Sequence, residues 1–238
     1  MQLDILAFAA HPDDVELAAC GTLIKHIQQG KKVGIVDLTR GELGTRGSAE
    51  LRDEEAKKSG EIMGLTARHN LQLADGLFEI NESSLRKVVE MIRVYQPKVV
   101  ICNSVSDRHP DHGRGGDLVV RACFLAGLIK FESNWNGQNQ TPHRPSNIYR
   151  YIQDRWLTPD FVVDITDQME TKMECIMAFS SQFHSSESKE PQTPISSPEF
   201  LEFLNGRAAQ FGRIINTKYG EGFNVERPIG VEDITQLL

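Results

Sequence analysis

Apolar residues along the chain fall into two alternating patterns, and the alternation itself predicts an architecture. Short, almost continuous apolar runs at 3–9, 33–38 and 98–102 have the signature of strands covered on both faces. Between them the apolar positions spread to helical spacing over 14–29, 51–63 and 82–95, with Gly30, Gly64 and the Gln96-Pro97 pair as stop signals. A weaker strand lies near 70–73. Repeated strand–helix–strand units predict an α/β fold: a Rossmann-like, mainly parallel sheet with right-handed crossovers and helices on both faces. In the strand order 3-2-1-4 the first and fourth strands are neighbours, so the loops after their carboxyl ends converge where such sheets bind ligands. Further on, the pattern predicts a helix near 116–130, an Asn/Gln-rich excursion at 133–140, and strands at 148–152 and 161–165. A helix at 167–181, a polar stretch at 184–198 and a last helix at 198–215 complete it. The expectation is one domain over residues 1–238, with its core in 1–130. Late strands, a mobile loop over the site and a C-terminal helix occupy 131–238.

Composition narrows the function. The net charge of -7 opposes binding to nucleic acid or an anionic membrane surface, which both need a clustered positive field. The Met1-Gln2-Leu3-Asp4 start carries no basic leader, and no apolar run approaches the roughly 20 residues that span a bilayer, so a cytoplasmic protein is expected. Cys20, Cys102, Cys123 and Cys175 are widely spaced, with no C-x-x-C pair, and read as reduced core residues rather than as a disulfide framework or a thiolate zinc site.

Two segments carry the chemistry. Ala10-His11-Pro12-Asp13-Asp14-Val15-Glu16 follows the first apolar run, and Asp107-Arg108-His109-Pro110-Asp111-His112 follows the run at 98–102. A catalytic zinc takes three nitrogen or oxygen ligands and keeps one position for water. His11, Asp14 and His112 can face one point from the two loops and are the candidate ligands. Asp13, beside a ligand, is the candidate general base, and His109 is a second acid or oxyanion donor whose ring Asp111 could hold and keep protonated. One Asp at a helix start could instead be a simple cap; three of the chain's seven histidines at strand ends beside carboxylates are harder to explain that way. Arg52, Arg108, Glu42 and Arg46 sit in or beside the loops that should frame the pocket and are candidate substrate contacts, since an arginine fork suits a carboxylate. The competing expectation is that such charges are solvated or locally paired.

The Ala-His-Pro-Asp-Asp and His-Pro-Asp-His segments, in this order behind these strands, resemble those of the LmbE-like (PIG-L) zinc-dependent N-acetylglucosamine deacetylases. Leu38-Thr39-Arg40-Gly41-Glu42-Leu43-Gly44-Thr45-Arg46-Gly47, Glu50-Leu51-Arg52 and Glu54-Glu55-Ala56 are similar to the same family, above all to its bacillithiol-biosynthesis branch. The resemblance implies one zinc per chain, though another divalent metal is compatible, held by His11, Asp14 and His112. It implies Asp13 as general base, and His109 as oxyanion donor with Asp111 behind it. It further implies an N-acetylglucosaminyl-malate substrate and a homo-oligomer, a hexamer in related enzymes. Phe200 departs from the pattern: some relatives offer a tyrosine hydroxyl from that late segment, which leaves a second oxyanion donor unassigned. His184 stays open.

Other readings remain distinct. A single-metal amidohydrolase acting on another N-acyl sugar or amide is the alternative enzyme, whereas a two-metal phosphatase needs more ligands than these. A nucleotide-binding module would carry G-x-G-x-x-G where this chain has His-Pro-Asp-Asp, and no G-x-S-x-G marks a serine hydrolase. A catalytically idle metal-binding protein would bind metal and cleave no amide.

Overall fold

In the computed structural model, which describes residues 1–183 and 190–238, the strands β1 (Ile5–Ala9), β2 (Val33–Thr39), β3 (Ala67–Leu73) and β4 (Val99–Cys102) run parallel in the order β3-β2-β1-β4. This is the order expected from the sequence. Two further strands, β5 (Asn134–Trp135) and β6 (Gln138–Asn139), form a separate small hairpin across Asn136 and Gly137, both at positive φ. Asn-Gly is the pair that a tight hairpin turn favours, and the excursion at 133–140 therefore has a structure that composition concealed.

The main sheet continues with β7 (Asn147–Tyr151), parallel to β4, then β9 (Gly220–Val225) and β8 (Phe161–Asp164), which are antiparallel additions. β9 was not visible in the sequence, because its Gly220 and Gly222 depress strand propensity. Packing explains them: a Cβ at Gly222 would lie 2.6 Å from the Phe211 ring, and one at Gly220 2.6 Å from Val162.

Side chains alternate across β1, as a strand's two-residue period requires. Leu6 and Phe8 join the core under α4 (Glu82–Tyr95) and α5 (Pro110–Ala126), while Ile5, Ala7 and Ala9 face α1 (Asp14–Ala18), α2 (Cys20–Gln28), α3 (Ala49–Met63) and α6 (Met169–Met177). All four cysteines are buried and free. The segment expected as one helix over 14–29 is two, broken at Ala19 (φ -139°, ψ 1°). The break gives α2 its own set of unpaired N–H groups, and the buried Glu221 carboxylate accepts from Gly21 N–H (3.0 Å) and Thr22 N–H (2.7 Å). Lys172 Nζ closes the joint, donating to Glu221 (2.6 Å) and to the Leu17 carbonyl (3.0 Å). α5 likewise starts earlier than the expected 116, with His109 as its N-cap and Pro110 in its first turn, so the second motif is a loop plus a helix start. The last helix, α7 (Pro198–Ile214), packs over β9. Of the stretch 184–198 expected as a mobile loop, His184 and its neighbours to 189 lie outside the described residues. No helix among the described residues is long and apolar enough to cross a membrane.

Candidate active site

The loops after β1, β2, β3, β4 and β7 surround one cavity of about 390 Å³, whose far side is closed by Thr193–Ile195 and α7. Its floor is charged and buried. Asp14 is 3 % exposed; its Oδ2 accepts from His11 N–H (2.9 Å) and Asn103 Nδ2 (3.0 Å), and its Oδ1 from Gln153 Nε2 (3.0 Å). The same carboxylate lies 3.7 Å from His11 Nδ1 and 3.0 Å from His112 Nε2. The expected trio His11, Asp14 and His112 is therefore assembled.

The opposite nitrogen of each of those two rings is held by another carboxylate: His11 Nε2 by Asp75 (2.9 Å), with Asp111 at 3.5 Å, and His112 Nδ1 by Asp107. A histidine held by a carboxylate at one nitrogen, with the other facing a shared point, is the usual support of a metal ligand. Electrostatics agrees. Burial by itself lowers a histidine pKa, yet the carboxylates of Asp111, Asp14 and Asp75 outweigh it and raise His11 well above its ordinary value. His112 is raised to about 9 against burial by Asp14 and Asp107. Despite its own burial, Asp14 is held well below the carboxylate range by His112 and His11. Two histidines and a carboxylate converging within a ring of further carboxylates are a donor set suited to a divalent cation.

The ring nitrogens of His11, His109 and His112 also lie within 4.8 Å of one another, so distance alone admits a three-histidine set. Proton placement separates the cases. His109 Nδ1 accepts the Asp111 N–H (3.2 Å), which puts the proton of the neutral ring on Nε2 and makes that atom a donor rather than a ligand. Burial, with the charges of His11 and His112, lowers the His109 pKa. The ring is thus a neutral N–H donor, not the imidazolium expected from the sequence. Nor does Asp111 hold it: that carboxylate accepts from Gly76 N–H (2.8 Å) and Arg114 Nη1 (2.9 Å) and leans on His11.

Asp13 is not a helix cap. It occupies the cap position of α1 with φ 131°, a region a non-glycine residue rarely adopts, and makes no capping bond. Its carboxylate instead accepts from Arg52 Nη2 at 2.7 Å, both side chains being about 6 % exposed. Burial pushes its pKa up to about 6, with Arg52 opposing the rise. Gly41 makes room for this pair: it has φ +65°, and a Cβ there would sit 1.9 Å from Arg52 Nη1.

The candidate substrate contacts are only partly brought together. Arg52 lines the cavity but is committed to Asp13, and Arg108 lines it while donating to Asp154 (2.7 Å). Glu42 and Arg46 stand behind the wall. The Glu42 carboxylate accepts from Asp75 N–H (2.9 Å), and Arg46 Nε donates to the Ser181 carbonyl (2.7 Å). Sequence reading left Asp75, Asn103 and Gln153 unassigned. Asn103 directly follows a buried strand and Asp75 begins an Asp-Gly turn, both usable signals, whereas nothing marks Gln153.

A family model described as PIG-L, GlcNAc-PI de-N-acetylase, matches residues 6–123, the stretch that holds both motifs. A conserved protein of Thermus thermophilus superposes with a TM-score of 0.86 at 31% identity, over 97% of each chain. The chain belongs to the PIG-L (LmbE-like) deacetylase family. Among curated relatives, it is 29% identical over 229 residues to the diacetylchitobiose deacetylase of Thermococcus kodakarensis, covering 92% of this chain and 81% of that one. It is 25% identical over 202 residues to a probable N-acetyl-alpha-D-glucosaminyl L-malate deacetylase of Bacillus anthracis, covering 75% and 81%. As in other PIG-L deacetylases, the reaction class is removal of an acetyl group from an N-acetylated sugar conjugate.

Proposed function

We propose that this PIG-L family member is a zinc-dependent hydrolase that removes the acetyl group from the glucosamine ring of an N-acetylglucosaminyl conjugate, with His11, Asp14 and His112 as the metal ligands. The observation that carries this is the double carboxylate support of His11 and His112, whose free nitrogens face Asp14. A zinc ion there supplies Lewis acidity toward the acetamide oxygen and acidifies a water. Asp13, kept largely ionised at neutral pH by Arg52 in spite of its burial, takes the proton from the attacking water and returns it to the amine as the C–N bond breaks. His109 Nε2–H donates to the oxygen that gains negative charge, and needs no added proton to do so. Asn103 and Gln153 position Asp14.

The malate conjugate is the specific substrate to which the sequence resemblance points, and the Bacillus relative supports it. Arg108 is the candidate contact left for a malate carboxylate at the cavity wall, since Arg52 serves Asp13 and Arg46 stands outside. The apolar far wall of Phe200, Phe203 and Leu204 beside the reactive floor favours a second reading, a disaccharide such as diacetylchitobiose, the substrate in the Thermococcus relative's name. The test is amine release from N-acetylglucosaminyl-malate, from N,N′-diacetylchitobiose and from N-acetylglucosamine, using metal-stripped protein before and after one equivalent of zinc. Zinc-restored release from any of them supports the deacetylase reading, and the ranking selects the conjugate. Release from none, with zinc bound, overturns it.

A further inference from the structure

Beyond the wall formed by α7, a second open cavity of about 370 Å³ adjoins the first, lined by Asp154, Trp156, Phe203, Gly206, Arg207 and Gln210. Asp154, Phe203 and Arg207 line both cavities. The two are also joined along the chain. Gln153 bonds the Asp14 carboxylate at the reactive floor, and Trp156, three residues on, stands in the second cavity, a span of at most about 10 Å of extended backbone.

Two large aromatics are left open there. Trp156 is 44% exposed with one ring face stacked on Phe211 (centroids 5.0 Å apart); Phe203 is 41% exposed but its ring is engaged by Phe200 (5.9 Å) and by the Arg207 guanidinium 4.8 Å from its centre, which leaves Trp156 the more available face. Phe203, Gly206, Arg207 and Gln210 follow the i, i+3, i+4, i+7 spacing that puts them on one face of α7.

Gly206 is an independent observation. A glycine inside a helix costs stability relative to alanine. Neither backbone nor packing requires one here: its φ is not positive, and a Cβ added to it meets nothing within 4 Å. By contrast Gly212, later in the same helix, would drive a Cβ to 2.7 Å from the Lys218 backbone. The missing side chain at 206 thus leaves space between Phe203 and Gln210 that no protein atom uses.

We infer that this cavity is a distal subsite for a second pyranose ring of the substrate, with the C–H face of the ring on Trp156 and its hydroxyls toward Arg207, Gln210 and Asp154. The inference rests on reading the first cavity as the sugar deacetylation site. Half-exposed aromatic faces flanked by planar polar side chains suit a neutral ring with one apolar face and polar edges, and suit a flexible dicarboxylate less well.

The test uses the full-length zinc-loaded protein with N,N′-diacetylchitobiose and N-acetylglucosamine. Trp156→Ala should raise KM for the disaccharide about tenfold, the size of one aromatic contact, and leave kcat and the KM for N-acetylglucosamine unchanged. Gly206→Leu should give the same split while keeping or raising Tm, because leucine is the better helix former and the space is empty. Equal effects on both sugars, no effect on either, or a loss confined to N-acetylglucosaminyl-malate would overturn the subsite. A readout free of turnover separates this from failure of the deacetylase reading. The chain has only two tryptophans, so in a Trp135→Phe background fluorescence reports Trp156 alone, and it should respond to the disaccharide and not to the monosaccharide. A silent Trp156 sinks the subsite even where acetyl release is normal. A response without any acetyl release keeps the subsite and sinks the chemistry.

Discussion

The floor and the far wall of the active-site cavity are built on opposite plans. On the floor the named groups are buried and partnered: Asp13 with Arg52, Asp14 with Asn103 and Gln153, His11 with Asp75, His112 with Asp107. On the far wall Phe203 is left 41% exposed beside Ile195, Phe200 and Leu204, a largely apolar surface with Arg207 among them. A buried polar network holds one geometry because each broken bond strands another buried group, whereas an apolar wall can be altered one residue at a time at modest cost. On the proposed function, the floor is the part that would set the reaction and the wall the part that would select what is presented to it. Substitutions on the floor should strike kcat or metal affinity, and those on the wall should strike the choice of substrate.

The largest effect is expected at Asp13. Asp13→Asn keeps the size of the side chain and removes the base, and kcat should fall by about 10²- to 10⁴-fold with zinc still bound, by metal analysis of the purified variant. A variant retaining zinc and a rate near that of the native chain would remove the base from this residue, and with it the plan of the floor.

Next come the carboxylates behind the proposed ligands. Asp107 holds His112 Nδ1, and its side chain is fully buried. Asp107→Ala should weaken zinc binding by about 10- to 100-fold, read by competition with a chelator, while the zinc-saturated variant recovers much of its rate. Asp75→Ala should do the same through His11. An unchanged zinc affinity in both would mean that these bonds serve packing alone.

This contrast also explains what could be read from the sequence. The first four strands were legible because each is an apolar run of neighbouring residues, and their order followed from the doubly wound rule; that order is what brings the candidates His11 and Asp14 to His112 from a separate loop. His109 lines the cavity, but the Asp111 carboxylate does not hold its ring. Which atom of Asp111 meets the ring is decided by the helix that starts at Pro110, where the backbone N–H points at His109 Nδ1 and the carboxylate is drawn away to Gly76 and Arg114. Gln153 was out of reach, since its partner Asp14 lies 139 residues earlier. β9 was hidden by the glycines its packing demands. Glu42 and Arg46 shared a loop with cavity residues, but a charged loop residue shows its direction only once its partners, Asp75 and Ser181, are placed.

Arg52 stands where floor and wall were expected to meet, as a substrate contact by the sequence and as the partner of Asp13 in the structure. Arg52→Met should separate the two roles. A buried carboxylate that loses its cation is destabilised by a few kcal/mol unless it binds a proton, so the pKa of Asp13, already near 6, rises further. The active form is the deprotonated one, and activity climbs as pH rises through that pKa. The acid limb of kcat/KM should therefore move to higher pH, with the rate at neutral pH down about twofold for a rise of one unit and about tenfold for a rise of two. An unmoved limb with a KM increase specific to the malate conjugate would return Arg52 to the substrate.

The smallest effect is expected at Glu42. Were it a substrate contact, Glu42→Gln should raise KM. Placed as it is behind the wall, it accepts from Asp75 N–H (2.9 Å) and Arg40 N–H (3.2 Å), and a glutamine carbonyl oxygen can accept the first of these bonds equally well. The expected outcome is kcat and KM within about threefold of the native values, because one neutral hydrogen bond replaces one charge-assisted bond of similar geometry. Glu42→Ala leaves the Asp75 N–H without that partner and loosens the residue that orients His11, so it should cost zinc affinity rather than KM. A rise in KM confined to one conjugate, in both variants, would instead place Glu42 on the side of the cavity that chooses the substrate.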